Sequence, residues 1–223
     1  MIISYQTHPA IKLRPGRVSV LATNNQTVFA ELINAVQGIN DKLLVTTDDY
    51  ESLEVTKALD WDTGLVLSGT VFSHYSRELI SKFAREIDEA NRVKLAEQGR
   101  RLFATVQEAL FMSSLPLQVT YDGDIKRLLK YCNPQLVQVG RGDFCGTISD
   151  DLRIHLELGS KSCVCLNNVA NYLTPDAFSD LLATVEQINL PLFLIEFTEM
   201  AQRGFYGNAD YFYIDQDFVD WQL

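Results

Sequence analysis

The sequence predicts an α/β fold with a mostly parallel sheet, interrupted by a helical insertion. Three observations carry that prediction. Short apolar runs of the kind that make buried strands alternate with helical patterns in the C-terminal third, and strand, helix, strand in succession implies a crossover and parallel pairing. From about residue 72 to residue 114 the chain lacks proline, holds one glycine and is periodic as helix throughout. Hydrophobic residues make up 47% of the 223, enough to bury a sizeable core and to exclude wholesale disorder.

In the N-terminal third, Ile2 to Gln6 is short and β-prone, Pro15-Gly16 is a turn pair, and Arg17 to Leu21 is apolar-rich. A helix follows, with Val28, Phe29, Leu32, Ile33 and Val36 spaced by three and four, Asn24 or Asn25 as its N-cap and Gly38 as its stop. Leu43 to Thr46 is the next strand, short enough to be sandwiched between helices. In the insertion, Leu79, Ile80, Phe83, Ile87 and Ala90 line one face, while Ala96, Gly99, Phe103, Val106 and Leu110 line another. The stripes lose register at Asp88-Glu89-Ala90-Asn91-Arg92, which predicts a bend or a hairpin of two helices, with Asn91 placed to cap the second.

After Pro116 the pattern is again mixed: a strand at Leu117 to Thr120, a helix from Asp124 to Tyr131 and another from Ser149 to Leu158. Ser162 to Leu166 is a buried strand, and Thr174-Pro175-Asp176 opens a helix running to about Ile188, with a hydroxyl cap and proline at its first position. Leu192 to Glu196 and Tyr211 to Ile214 are further strands. The expected division is a head at 1–70 and 116–223 and a helical leg at 71–115.

No basic start followed by a long apolar run stands near Met1, and no stretch reaches the roughly 18 apolar residues that span a bilayer. A soluble chain that does not enter membranes is expected. Cys132, Cys145, Cys163 and Cys165 contain no C-x-x-C pair, so buried reduced thiols and a cytoplasmic location are expected.

The net charge of −10 argues against indiscriminate nucleic-acid binding, but the local distribution sets the field. Between His74 and Tyr131 there are ten Lys and Arg against eight Asp and Glu, a surplus of two; the remainder has nine against 21, a deficit of twelve. Any polyanion is therefore to be sought on the insertion.

Few enzyme motifs survive inspection. Gly159-Ser160-Lys161-Ser162 has the wrong spacing for a phosphate-cradling loop and precedes a strand. The run Gly140 to Gly146 misses G-x-G-x-x-G, and its predecessor Val137-Gln138-Val139 is a doubtful strand. His8, His74 and His155 are isolated in sequence, none four residues from another, and read as ordinary surface or core histidines. There is no G-x-S-x-G elbow. Asp122 and Asp124 bracket Gly123 and could serve a hard cation, but helix capping explains them equally well. Lys82 and Arg85 point away from the apolar stripe of the first leg helix, with Arg92 joining them if the helix is unbroken. Lys94 and Arg101 share a face of the second with Arg100 adjacent, a pattern suited to phosphate contact without base reading.

Three stretches carry a resemblance to a known family. They are Pro9-Ala10-Ile11-Lys12-Leu13-Arg14-Pro15-Gly16-Arg17 leading into Val18 to Leu21; Leu102 to Val106 running on to Leu117 to Asp122; and a C-terminal set of Cys165-Leu166-Asn167-Asn168, Tyr172-Leu173-Thr174, Asn189 to Glu196 and Asp210-Tyr211-Phe212. In order and spacing these resemble the short adaptation proteins of type II-A CRISPR systems. The resemblance implies a P-loop-NTPase-like head without a working nucleotide site, a helical leg, and a homotetrameric ring threading double-stranded DNA and its ends. It also implies partners in the adaptation integrase and the effector nuclease, and no catalysis. Calcium in that family is held by acidic residues near the return from leg to head. Here Gln118 and Thr120 stand where carboxylates are usual, leaving Asp122 and Asp124 as the metal candidates.

The DNA contacts expected on this basis are Lys82, Arg85, Arg92, Lys94, Arg100 and Arg101, with Arg14 and Arg17 added. Two other readings stand beside it: a nucleotide-dependent α/β enzyme, and a protein-interaction scaffold that binds no DNA.

Overall fold

The structure is a computed structural model describing residues 1–136 and 143–222. The doubtful strand Val137 to Val139 and the start of the glycine-rich run lie outside the described residues. Packing divides the chain into two units, Met1–His74 with Gln138–Leu223, and Tyr75–Val137.

The first unit holds two sheets. One is small and antiparallel, in the order β2-β1-β4-β5, built from β1 (Ile2–Tyr5), β2 (Ile11–Lys12), β4 (Leu43–Thr46) and β5 (Ser52–Leu53). The other has the order β10-β9-β3-β8-β7-β6, from β3 (Val18–Thr23), β6 (Leu59–Trp61), β7 (Cys163–Asn167), β8 (Leu192–Phe197), β9 (Asp210–Ile214) and β10 (Asp220–Gln222). Its pairs are parallel except β10 with β9. This is the expected α/β class with a mostly parallel sheet. β3 and β8 lie at its centre and are buried along nearly their whole length, which is why they read as mostly apolar runs without alternation, broken only by Ser19, Thr23 and Glu196.

The helices of this unit are α1 (Gln26–Val36), α2 (Val55–Ala58), α3 (Thr63–Ser68), α7 (Phe144–Leu158) and α8 (Pro175–Ile188), with 3-10 turns at Val169–Asn171 and Met200–Tyr206. Val28, Leu32 and Val36 of α1 join Ile3, Tyr5 and Val45 of the small sheet and Leu21, Cys165 and Phe193 of the large one in one core. An aromatic group includes Phe178 of α8, whose ring meets Tyr206 edge-on at 5.6 Å, while Tyr206 lies 5.3 Å from Tyr211.

Asn25 resolves the choice of cap for α1. Its side chain accepts hydrogen bonds from the backbone N–H groups of Thr27 (2.9 Å) and Val28 (3.2 Å). An Asn25→Ala change is expected to cost about 1 kcal/mol, read from the denaturation midpoint.

The second unit holds most of α4 (Val71–Glu86), then α5 (Glu89–Leu110) and α6 (Ile125–Cys132). The two leg helices are separated at Ile87 and Asp88. Asp88 rather than Asn91 caps α5, its carboxylate accepting from the Asn91 N–H at 2.9 Å. Gly99 is buried against Tyr121, and the Tyr121 ring lies 5.3 Å from that of Phe103.

Several expectations are corrected. The helical unit extends past residue 115 to 137, because the segment carrying Tyr121 packs on α5 and α6 packs there too. Leu117 to Thr120 forms no strand; it runs along α5, held where Gln107 donates to the Leu117 carbonyl and accepts from the Val119 N–H. β4 is not sandwiched between helices but lies in the antiparallel sheet, with Leu43 and Val45 buried and Leu44 exposed. α7 starts five residues early because Asp143 caps it, accepting from the Gly146 N–H at 2.8 Å. Cys163 and Cys165 are buried free thiols, whereas Cys132, at the end of an exposed helix, is exposed.

Candidate functional site

The expected DNA contacts on the leg differ in how they are engaged. Lys82 pairs with Glu86 at 3.1 Å and Arg101 with Glu97 at 2.6 Å. Arg92 donates to the Ala84 carbonyl at 2.9 Å, bridging the break between α4 and α5, and lies 3.8 Å from Glu89. Arg85, Lys94 and Arg100 are exposed and form no ion pair among the described residues. In the other unit Arg14 is exposed, but Arg17 is fixed on Asp210 (3.0 Å) and the Asn208 carbonyl (2.9 Å).

The two carboxylates suggested for calcium share one guanidinium. Arg127 forms an ion pair with Asp122 and approaches Asp124 to 3.7 Å. Asp124 also caps α6 through the Lys126 N–H at 2.9 Å, and Asp122 accepts from the Asp124 N–H at 3.0 Å. The turn is built by capping and one guanidinium, which a sequence scan for carboxylates does not register.

A nucleotide-binding loop would join a central strand to a following helix. Here that connection, from β3 to α1, is Asn24-Asn25, without glycine. Asn25 spends its side-chain oxygen on the helix's own first N–H groups, the donors that would otherwise hold phosphate.

The C-terminal residues that carry the family resemblance have structural roles. Thr174 caps α8 and Asn189 ends it in the left-handed conformation (φ 59°). Asn168, also left-handed (φ 50°), turns the chain out of β7, and its side-chain oxygen accepts from the Phe197 N–H at 2.8 Å. Glu196 is 1% exposed and accepts from the Val169 N–H at 2.8 Å and the Tyr206 hydroxyl at 2.9 Å. Burial pushes its carboxyl up to about 7, against the opposing pull of those two donors.

A group the sequence reading passed over lies inside the first unit. His155 of α7 is surrounded by three aspartates. Its Nδ1 is 3.5 Å from Asp60 Oδ2; its Nε2 is 3.4 Å from Asp62 Oδ2 and 3.6 Å from Asp151 Oδ1. His155, Asp62 and Asp151 are all buried, Asp151 completely. Burial, with Asp62 and Asp60 nearby, pushes the Asp151 carboxyl well above the usual range. Asp60 accepts a hydrogen bond from the Ser162 hydroxyl. His155 is thus a core histidine, as expected, but one set among acidic groups that the sequence reading did not connect with it. The available signal was Asp151 and His155 four apart on one helix face; Asp60 and Asp62 had no signal, because β6 is a three-residue edge strand paired only with β7. Asp62, Asp151 and His155 are the residues whose potential ligand atoms come together within 4.8 Å among those described.

Among the described residues no helix is long and apolar enough to cross a membrane. No family model and no curated protein matches the sequence. The fold is similar to the crystal structure of Stu0660 of Streptococcus thermophilus, with a TM-score of 0.55 and 11% identity over 100% of this chain and 76% of that one. A nucleotide-free ATP-binding cassette from an ABC transporter matches with a TM-score of 0.42 and 14% identity over 99% of this chain and 88% of that one.

Proposed function

We propose that the chain binds double-stranded DNA without reading its sequence, through the helical unit, as a homotetrameric ring that accepts duplex ends. In this reading it serves spacer acquisition in the cytoplasm beside a CRISPR integrase and effector nuclease, and it catalyses nothing. One observation carries the proposal: the charge partition coincides with the division of the fold. The unit from 75 to 137 has ten Lys and Arg against eight Asp and Glu, whereas the rest of the chain has nine against 21.

Arg85, Lys94 and Arg100 support phosphate contact, since exposed cations without acidic partners are the ones that release counterions on binding. The exposed Leu102, Val106, Phe111, Met112 and Leu115 cluster in sequence at the end of α5 and just beyond it, which supports association through the same unit. The glycine-free link between β3 and α1 supports a non-enzymatic role. Calcium at Asp122 and Asp124 is not required by this reading: Asp124 caps α6, and the two carboxylates share Arg127.

The test is the salt dependence of affinity for a short linear duplex. Each phosphate contact contributes roughly 0.9 to the slope of log K against log salt, so Lys94→Ala with Arg100→Ala is expected to reduce it by roughly 2 per engaged chain. Unchanged slopes would remove these residues from the interface. Absence of any gel shift at low salt favours a scaffold instead, and equal affinity for linear and closed circular duplex ends the threading part.

A further inference from the structure

We propose that Asp62, Asp151 and His155 bind one divalent d-block cation of the zinc class inside the α/β unit. The donor set selects the ion. Calcium and magnesium take oxygen ligands, six to eight for calcium, whereas one imidazole nitrogen with two carboxylates suits zinc and its neighbours. The spacing agrees. Zinc bonds of roughly 2.0–2.2 Å place tetrahedral ligand atoms roughly 3.4 Å apart. The two contacts to His155 Nε2, at 3.4 and 3.6 Å, are long for strong hydrogen bonds and match that edge.

Two further observations point to a cation. Neither oxygen of Asp151 receives a hydrogen bond, although the side chain is fully buried and directed at the imidazole. A buried carboxyl in that state keeps its proton unless a positive charge accompanies its ionised form, and a bound cation supplies that charge. On the opposite edge of the ring, Asp60 lies beside Nδ1 and is itself oriented by Ser162. At 3.5 Å it makes no hydrogen bond to Nδ1, but it stands on the side of the ring where an outer carboxylate orients a metal-ligating imidazole.

The placement suggests a structural role. Asp60 and Asp62 stand on and just after β6, before the helical insertion in sequence; Asp151 and His155 stand on α7, after it. An ion there clips together the two parts of the interrupted head. The proposal is independent of DNA binding.

The full chain, stripped with a chelator, reloaded with Zn²⁺ or Co²⁺ and gel-filtered, is expected to retain one ion per chain and to melt at higher temperature than the stripped form. Asp151→Asn, whose fold is checked by circular dichroism, should weaken zinc affinity by at least roughly a hundredfold in competition with a chromophoric chelator. Cys132→Ser should leave it unchanged, and the cobalt spectrum should lack a thiolate charge-transfer band, a readout on the unmutated chain. Failure to retain zinc or cobalt overturns the proposal, as does wild-type affinity in both Asp151→Asn and Asp62→Asn, or loss of binding in Cys132→Ser.

Discussion

Replacing Glu196 by glutamine is expected to flatten the stability loss that the wild-type chain undergoes as pH rises from about 4.5 to beyond about 7. Its carboxyl, with an ordinary value of 4.5, is pushed up to about 7 by burial. A raised acid binds its proton more tightly in the folded state, so its contribution is fully present below the unfolded value. It is lost as pH rises through the folded one. A difference of about 2.5 units corresponds to roughly 3 kcal/mol. Denaturant unfolding of both chains at a series of pH values isolates this group, because every other titration appears in both and cancels. Parallel curves for wild type and Glu196→Gln would refute the account. Truncation to alanine should be damaging at any pH, since the Val169 N–H and the Tyr206 hydroxyl would lose their common acceptor; each unmet buried group costs about 1–3 kcal/mol.

Gly99→Val is expected to destabilise the helical unit by about 2–3 kcal/mol, although glycine is a poor helix former and most replacements in a helix would help. The reason is Tyr121. A Cβ built on Gly99 would lie 2.8 Å from Cε2, Cζ and Oη of that ring, closer than such contacts occur. The ring lies against Phe103, and the segment that bears it is held by Gln107, so its displacement is opposed. Hydrogen exchange should show protection lost along α5 and in residues 117–123. The double-mutant cycle supplies the control: in a Tyr121→Ala background, Gly99→Val should cost much less than in the wild-type chain. Full protection in Gly99→Val would refute the close approach.

Much of the architecture was legible because local chemistry and tertiary packing agree. β3, β7 and β8 are mostly apolar, without strict alternation, since both faces of a central parallel strand are covered. Asn25 and Thr174 announce helix starts by offering an oxygen to otherwise unpaired N–H groups. The candidate site was less legible. Lys82, Arg92 and Arg101 read as available cations, yet local partners engage them; Arg85, Lys94 and Arg100 look the same in sequence and differ only in their neighbours. For Asp122 and Asp124 the sequence left capping and cation binding equally open; the structure shows the cap, on Asp124, and Arg127 beside both.

Composition and periodicity by themselves determined the class of fold, the helical character of the insertion and the concentration of positive charge there, because these depend on residues close together in the chain. The meeting of Asp60 and Asp62 with Asp151 and His155, about ninety residues apart, was decided only by the tertiary structure. Pairing of β6 with β7 delivers the first two to the helix bearing the others, and no local pattern encodes a pairing between such distant segments.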